Sequence, residues 1–472
     1  MNWNSNLMAG RTFGSAGRRA LVVVLVCAGL AIWLHSGDTP AVMANSIALV
    51  LMAIGFWGLG VLSEALTGLL FLLGATLLLQ LEPAVVFSGF TTTAFWLIFA
   101  GAVLSASATR TGLSDWLAAH SVGGIFASTG YGMRVAIVVT FSAGLALILP
   151  STLGRVAILL PLVIALCDQF GYQSGGKGRT GLVLAAAVGT YIVPITFLPA
   201  NLPNIVLAGS LESIYGITPT FGAYLVLHFP VIGLVKGVAL VLIVNALFRE
   251  APAPATQHDE GHIEPLSGSG QRLLFVLVAT LALWSVDFLH GISPAWVGLG
   301  AAILCLMPFM GIIDFKEMPL HSIFPMLLYI GAVLGIGAVM THSGAGEALS
   351  RLIVSNLPLA DTGNLMRLLL LTAVATLTSL ATTMPVAPAM TAPFFADIAI
   401  STGWTIEAVG MSQVLGYATP LLPYQLPPLM LALAMTGISM RDATRVLLWL
   451  AAVTTPVTLI AAHFWWQVLG WY

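Results

Sequence analysis

The stretch LPANLPNIVLA, Leu198 to Ala208, returns near the far end of the chain as LPYQLPPLMLA, Leu422 to Ala432. Leu-Pro, Leu-Pro and Leu-Ala fall at the same offsets in both. Each copy lies inside a long apolar segment. Proline has no backbone N–H and its ring crowds the preceding turn, so each copy reads as a helix broken part-way through a membrane. Pro-interrupted hydrophobic segments at corresponding places in two halves point to a transporter's binding site. Leu, Pro and Ala are abundant here, so coincidence is the competing reading, and further pairings weigh against it.

Hydrophobic residues make up 58% of the 472 residues and charged residues 7%. Soluble domains carry about 25% charge, so this chain cannot cover itself with polar surface and belongs in a bilayer. A net charge of −2 argues against nucleic acid as a partner. Cys27, Cys167 and Cys305 are far apart in apolar segments and suggest neither a metal site nor a disulfide framework.

A span needs roughly 20 apolar residues. The candidates are 20–36, 42–60, 62–80, 94–109, 180–197, 222–248, 272–290, 294–312, 322–341, 407–422 and 444–468. The stretches 133–167 and 367–400 are interrupted near their middles and read as re-entrant hairpins. The expected fold is all-α and integral to the membrane, with about eleven spans plus two hairpins. The divisions are 1–41 (cytoplasmic N-terminus and first helix), 42–248 (first repeat), 249–271 (polar cytoplasmic linker) and 272–472 (second repeat). His258 and His262 in the linker carry only a weak metal or regulatory reading.

Arg11, Arg18 and Arg19 precede the first span. Lys177, Arg179, Arg249, Arg272, Lys316, Arg441 and Arg445 fall on the same side by alternate counting. The positive-inside rule then puts the N-terminus in the cytoplasm and the C-terminus outside. The expected location is the inner (plasma) membrane, with membrane lipid as a partner. GAVL occurs at Gly101–Leu104 and again at Gly331–Leu334; Thr111–Asp115 matches Ser343–Glu347 in its small residue, Gly and acid. An odd number of spans per half makes the copies inverted.

The first hairpin turns at Leu149-Pro150-Ser151-Thr152-Leu153-Gly154-Arg155. Ser151 and Thr152 offer hydroxyls and a helix N-terminus suited to an anion, or simply a cap. Arg155 could grip a carboxylate or sulfate in two places, or pair with a buried acid such as Asp397. The second hairpin turns near Thr382 and Thr383, which could donate hydroxyls from the other side or bond their own helix. Asn201 and Asn204 in the first broken helix, and Tyr424 and Gln425 in the second, could coordinate substrate or cation. Asn204 also suits the backbone freed by Pro203. Lys236 lies deep in span 222–248, where it needs a partner or acts as a fixed charge. Asp168 and Asp397 follow their hairpins and could pair with cations, while His228 and His342 read as interfacial. Zinc, Walker, Rossmann and nucleophile-elbow patterns are absent.

These residues resemble the divalent anion:sodium symporter family of the ion-transporter superfamily. The resemblance rests on Ser88–Leu113, which opens SGF and runs into FWLIFAGAVLSASATRTGL, on PSTLGRVAILLP, and on PANLPNIVLAG. It extends from about Val42 onward. It implies two inverted repeats, a substrate site between the hairpin tips, elevator motion and a homodimer. The expected activity is cation-coupled symport of a small anion, such as a di- or tricarboxylate or sulfate. The family's tips read Ser-Asn-Thr and bind sodium. Here they read Ser151-Thr152-Leu153 and Thr383-Met384-Pro385, without the Asn, and Ser151 and Thr383 are left as sodium oxygens. The family's Gly-Thr-Pro-Pro-Asn-like element is reduced to Leu202-Pro203-Asn204 and Leu426-Pro427-Pro428. No cofactor is expected beyond a coupling Na+ or H+, with exchange left open. The competing readings are a cation/proton antiporter or oxyanion exporter of the same superfamily, and an intramembrane enzyme, for which no catalytic cluster is evident.

Overall fold

The computed structural model describes residues 6–113, 116–117, 126, 129–251 and 265–472. His258, His262, Ser114 and Asp115 lie outside the described residues. Helices and turns account for the described chain, with no strand among the described residues. Helices α1 (Asn6–His35), α2 (Ala41–Leu59), α3 (Glu64–Leu78) and α4 (Thr93–Arg110) lead to a hairpin. Its arms are α5 (Tyr131–Ile148) and α6 (Thr152–Gln169). Helix α7 (Lys177–Ile192) then breaks into two 3-10 turns before α8 (Leu202–Tyr215). Helices α9 (Phe221–His228) and α10 (Leu234–Phe248) close this half, joined by a π-helical turn at Phe229–Gly233 that holds Pro230.

The same order follows. Helices α11 (Gly268–Ser285), α12 (Pro294–Leu306) and α13 (Leu320–His342) precede α14 (Ala345–Asn356) and a second hairpin. Its arms are α15 (Asn364–Ala381) and the pair α16 (Val386–Thr391) and α17 (Phe395–Thr402). Helix α18 (Ile406–Tyr417) breaks before α19 (Pro427–Thr436), and α20 (Met440–Leu469) ends the chain. The prolines set these breaks. Thr190 lies four residues before Pro194, and Gly416 four before Pro420, so neither carbonyl has the i+4 N–H donor of a continuing helix; Gly416 O accepts from Thr419 N at 3.0 Å instead.

Among the described residues, ten helices are long and apolar enough to cross a membrane. That count is reached differently from the expected eleven spans. It includes hairpin arms α6 and α15, while α3 and α12 are apolar but shorter. Helix α6 continues through Pro161 to Gln169.

The halves interlock. Helix α3 packs on α13, and α12 packs on α4. The two GAVL copies serve different contacts. A Cβ at Gly101 would lie 3.2 Å from Pro150 Cβ, so this glycine lets the first hairpin tip approach α4. Gly331 instead makes room for the Phe90 ring, which a Cβ would meet at 2.4 Å. At the surface, Arg110 donates from Nε to Glu317 at 3.0 Å and holds that carboxyl below the usual carboxylate range.

Candidate substrate site between the hairpin tips

Both hairpin tips and both helix breaks meet around one cavity of about 170 Å³. Helix α4 contributes Leu97, Ile98, Gly101 and Ala102. The first tip contributes Pro150 to Leu153, and the second Met384 and Pro385. The first break presents Pro199, Leu202, Pro203 and Ile205, and the second Gln425, Pro427 and Pro428. Tyr191 and Met326 complete the wall. No lining side chain is charged.

The polar part of the wall is small and directional. Ser151 caps α6, its Oγ accepting from Gly154 N at 3.2 Å. That leaves the amides of Thr152 and Leu153, both on the wall, without an intrahelical acceptor. The α6 N-terminus also carries the positive end of its helix dipole. Gln425 is 1% exposed. Its Oε1 accepts from Leu421 N at 2.8 Å and Leu422 N at 2.9 Å, which fixes the amide orientation. Its Nε2 is a buried donor without a partner, on a residue that lines the cavity. At α19 the first two residues are prolines and offer no N–H.

Arg155, expected on the substrate, is placed behind the wall. It is 0% exposed. Its Nη1 donates to Leu149 O at 2.6 Å and Pro150 O at 3.0 Å. Its Nη2 donates to Thr190 O at 3.0 Å, Ala200 O at 2.9 Å and Asn201 Oδ1 at 3.1 Å. A longer contact of 3.3 Å reaches Thr152 Oγ1. The guanidinium therefore staples the first tip to the first break. In particular it serves the Thr190 carbonyl that Pro194 leaves without a donor. No carboxylate, Asp397 included, pairs with it among the described residues. Its charge lies one hydrogen bond behind Thr152.

The other expected residues divide. Ser151, Thr152 and Gln425 line the cavity. Asn201 faces inward: its Nδ2 donates to Tyr191 O at 3.1 Å, and its Oδ1 accepts from Thr152 Oγ1 at 2.9 Å. Asn204 donates from Nδ2 to Ile195 O at 2.9 Å and Phe197 O at 3.0 Å, repairing the broken backbone. Thr382 bonds its own helix, donating to Thr378 O at 2.7 Å. The Thr383 hydroxyl faces Tyr329 Oη at 3.3 Å. Neither threonine lines the cavity, so the pairing of Ser151 and Thr383 as sodium oxygens is not assembled there: Met384 and Pro385 take the facing positions. Tyr424 is exposed and donates to Leu380 O at 2.6 Å. Asp168 pairs with Arg179. His228, read as interfacial, is fully buried against Tyr224 and Trp466.

Sequence reasoning missed Tyr191 and the apolar lining. Tyr191 Oη donates to Tyr417 O at 3.1 Å and so ties the two broken helices together. Nothing local in the sequence signals that contact.

A family model described as the sodium:sulfate symporter transmembrane region matches residues 16–472. The chain belongs to this family. A Cupriavidus necator relative described as a membrane protein is 26% identical over 397 residues, covering 81% of this chain and 76% of that protein. Among solved structures, the Alcanivorax borkumensis YdaH transporter superposes with a TM-score of 0.55 at 16% identity, covering 97% of this chain and 98% of that one. Neisseria gonorrhoeae MtrF, described as illuminating a class of antimetabolite efflux pumps, gives 0.55 at 12% identity, covering 80% and 82%. At such identities the likeness is one of fold. Family membership and fold together make this sodium:sulfate symporter relative a multi-pass membrane transporter.

Proposed function

We propose that this transporter carries a small organic anion through the cavity at the hairpin tips, by secondary transport. The observation that carries the reading is the polar cluster on one side of the cavity. The α6 amides, the Ser151 hydroxyl and the unpartnered Gln425 Nε2 belong to it. Thr152, whose hydroxyl is committed to Asn201, and Arg155 stand behind them. Donors without acceptors, backed by a positive charge, suit a carboxylate. The rest of the wall is Leu, Ile, Pro and Met. A sulfate dianion would give up its water there for few partners, at high cost. A carboxylate on an apolar body loses less, so we favour that class over sulfate or a tricarboxylate.

The repeated element order favours inverted repeats, and the family resemblance adds an elevator motion and a homodimer. We place the protein in the plasma membrane with its N-terminus inside and C-terminus outside. A cation/proton antiporter would want buried carboxylates at the breaks, and the cavity wall holds none among the described residues. Nor do catalytic acids or metal ligands cluster there, which weighs against an enzyme.

The test is thermal stabilisation of the purified protein by hexanoate, benzoate, succinate and sulfate at matched ionic strength. The expected order puts hexanoate and benzoate first. Stabilisation by none of the four would overturn the anion-carrier reading. Stabilisation by sulfate alone would keep the carrier and reject the apolar-bodied substrate.

A further inference from the structure

The two helix breaks share a feature that the cavity does not use. A half-helix that ends in mid-membrane carries about half a negative charge on its last carbonyls, and in transporters such ends coordinate the coupling cation. Both ends here, at α7 and α18, have lost a helical donor to a proline. Each is met by a basic side chain that comes from elsewhere in the fold.

At the first break that side chain is Arg155. Its two Nη atoms engage four backbone carbonyls, including Thr190 O of the last turn of α7 and Ala200 O inside the break. At the second break it is Lys236, from α10, which is 1% exposed. Its Nζ donates to Thr419 Oγ1 at 3.2 Å and Thr454 Oγ1 at 3.1 Å. Each threonine hydroxyl is committed as a donor to its own helix: Thr419 to Leu415 O at 2.9 Å, and Thr454 to Leu450 O at 2.6 Å. Both hydroxyls therefore turn lone pairs toward the ammonium. Thr419 relays it to a carbonyl of the last turn of α18. Among the described residues neither base has a carboxylate partner.

We propose that Arg155 and Lys236 are resident cations that occupy the two helix breaks in place of a co-transported metal ion, so that the anion crosses without sodium. This rests on the transporter reading above. The oxygens that a sodium ion would need at the first break are already taken by the guanidinium. At the second, the ammonium holds the polar position. A metal ion entering either break would meet a fixed like charge in a low-dielectric interior, where repulsion is strong.

The experiment needs no transported substrate. The thermal midpoint of the purified protein is measured in sodium chloride and in choline chloride at equal ionic strength. The wild type is expected to melt at the same temperature in both. Lys236→Ala removes the ammonium and leaves space beside the Thr419 and Thr454 hydroxyls. That variant is expected to gain a sodium-dependent rise of several degrees, roughly what an ion held well above its Kd produces. Lys236→Gln keeps volume and a donor while removing the charge, and serves if the alanine variant does not fold. Sodium-dependent stabilisation of the wild type overturns the proposal while leaving the anion-carrier reading intact. Indifference to sodium in the neutral variants overturns the claim that Lys236 holds a cation position. Failure of the anion panel, by contrast, would remove the carrier reading without touching the sodium result.

Discussion

Arg155→Met separates a staple from a ligand. The substitution keeps an unbranched side chain of similar length and removes both Nη groups. Ala200 O would keep a 3.3 Å contact from Thr152 Oγ1, and Pro150 O is only partly buried. Leu149 O and Thr190 O would be left buried without a donor, since Pro194 cannot serve the latter. Each orphaned carbonyl costs about 1–3 kcal/mol, which makes about 2–6 kcal/mol for the pair. Relief from burying a guanidinium offsets part of this, so a net loss of about 2–4 kcal/mol is expected. At roughly 2–4 °C per kcal/mol for larger domains, the midpoint should fall by about 4–16 °C. The assay is a thermal melt of the purified variant beside wild type, with benzoate titrated into both. Arg155→Lys keeps the charge but cannot reach both the tip and the break, and should fall between the two. An unchanged midpoint in Arg155→Met, together with benzoate affinity weakened tenfold or more, would refute the staple and make Arg155 a substrate ligand.

Two smaller tests bear on the same core. Gln425→Glu keeps an oxygen for Leu421 N and Leu422 N but turns the free donor into a second acceptor. It should fold normally and bind benzoate at least about tenfold more weakly, a cost of about 1.4 kcal/mol, as read from the same titration. Gly89→Ala would place a Cβ 2.1 Å from Gly331 O and 2.8 Å from Leu334 Cβ. Backbone cannot yield as a side chain tip can, so the melt should show a loss of at least about 1–3 kcal/mol from overpacking.

The parts of this fold that the sequence shows are those governed by local chemistry. Proline lacks an N–H wherever it sits, so LPANLP and LPYQLP announce broken helices without any knowledge of partners. Ser151 after Pro150 announces a cap by the same logic, and the spacing of apolar runs places the hairpins within a few residues of their observed ends. What the sequence conceals is the partner of each polar group. The carbonyls that absorb Arg155 come from residues 190 and 200, and the hydroxyls that hold Lys236 from residues 419 and 454. Such pairings exist only once the halves interlock. Which residue of a tip faces the cavity is also concealed. One step along the turn separates Thr383, which faces Tyr329, from Met384, which lines the wall.

That one-step difference makes the two tips unequal, and the inequality fits the proposed substrate. If both tips presented hydroxyls and free amides, the cavity would suit an ion that is charged all round, such as sulfate. At the second tip the amides of Val386 and Ala387 are instead taken by Thr383 O, at 3.0 and 3.3 Å, and Pro388 has none to offer. Met384 and Pro385 then close that side with apolar surface. The first tip keeps its orphaned amides and its buried positive charge. A molecule recognised at one end by charge and hydrogen bonds, and along its body by apolar contact, matches this division. Converting the second tip toward the first, with Met384→Ser, should therefore weaken benzoate binding and improve succinate binding in the same melt. Equal loss for both ligands would mean that the second tip packs the protein without reading the substrate.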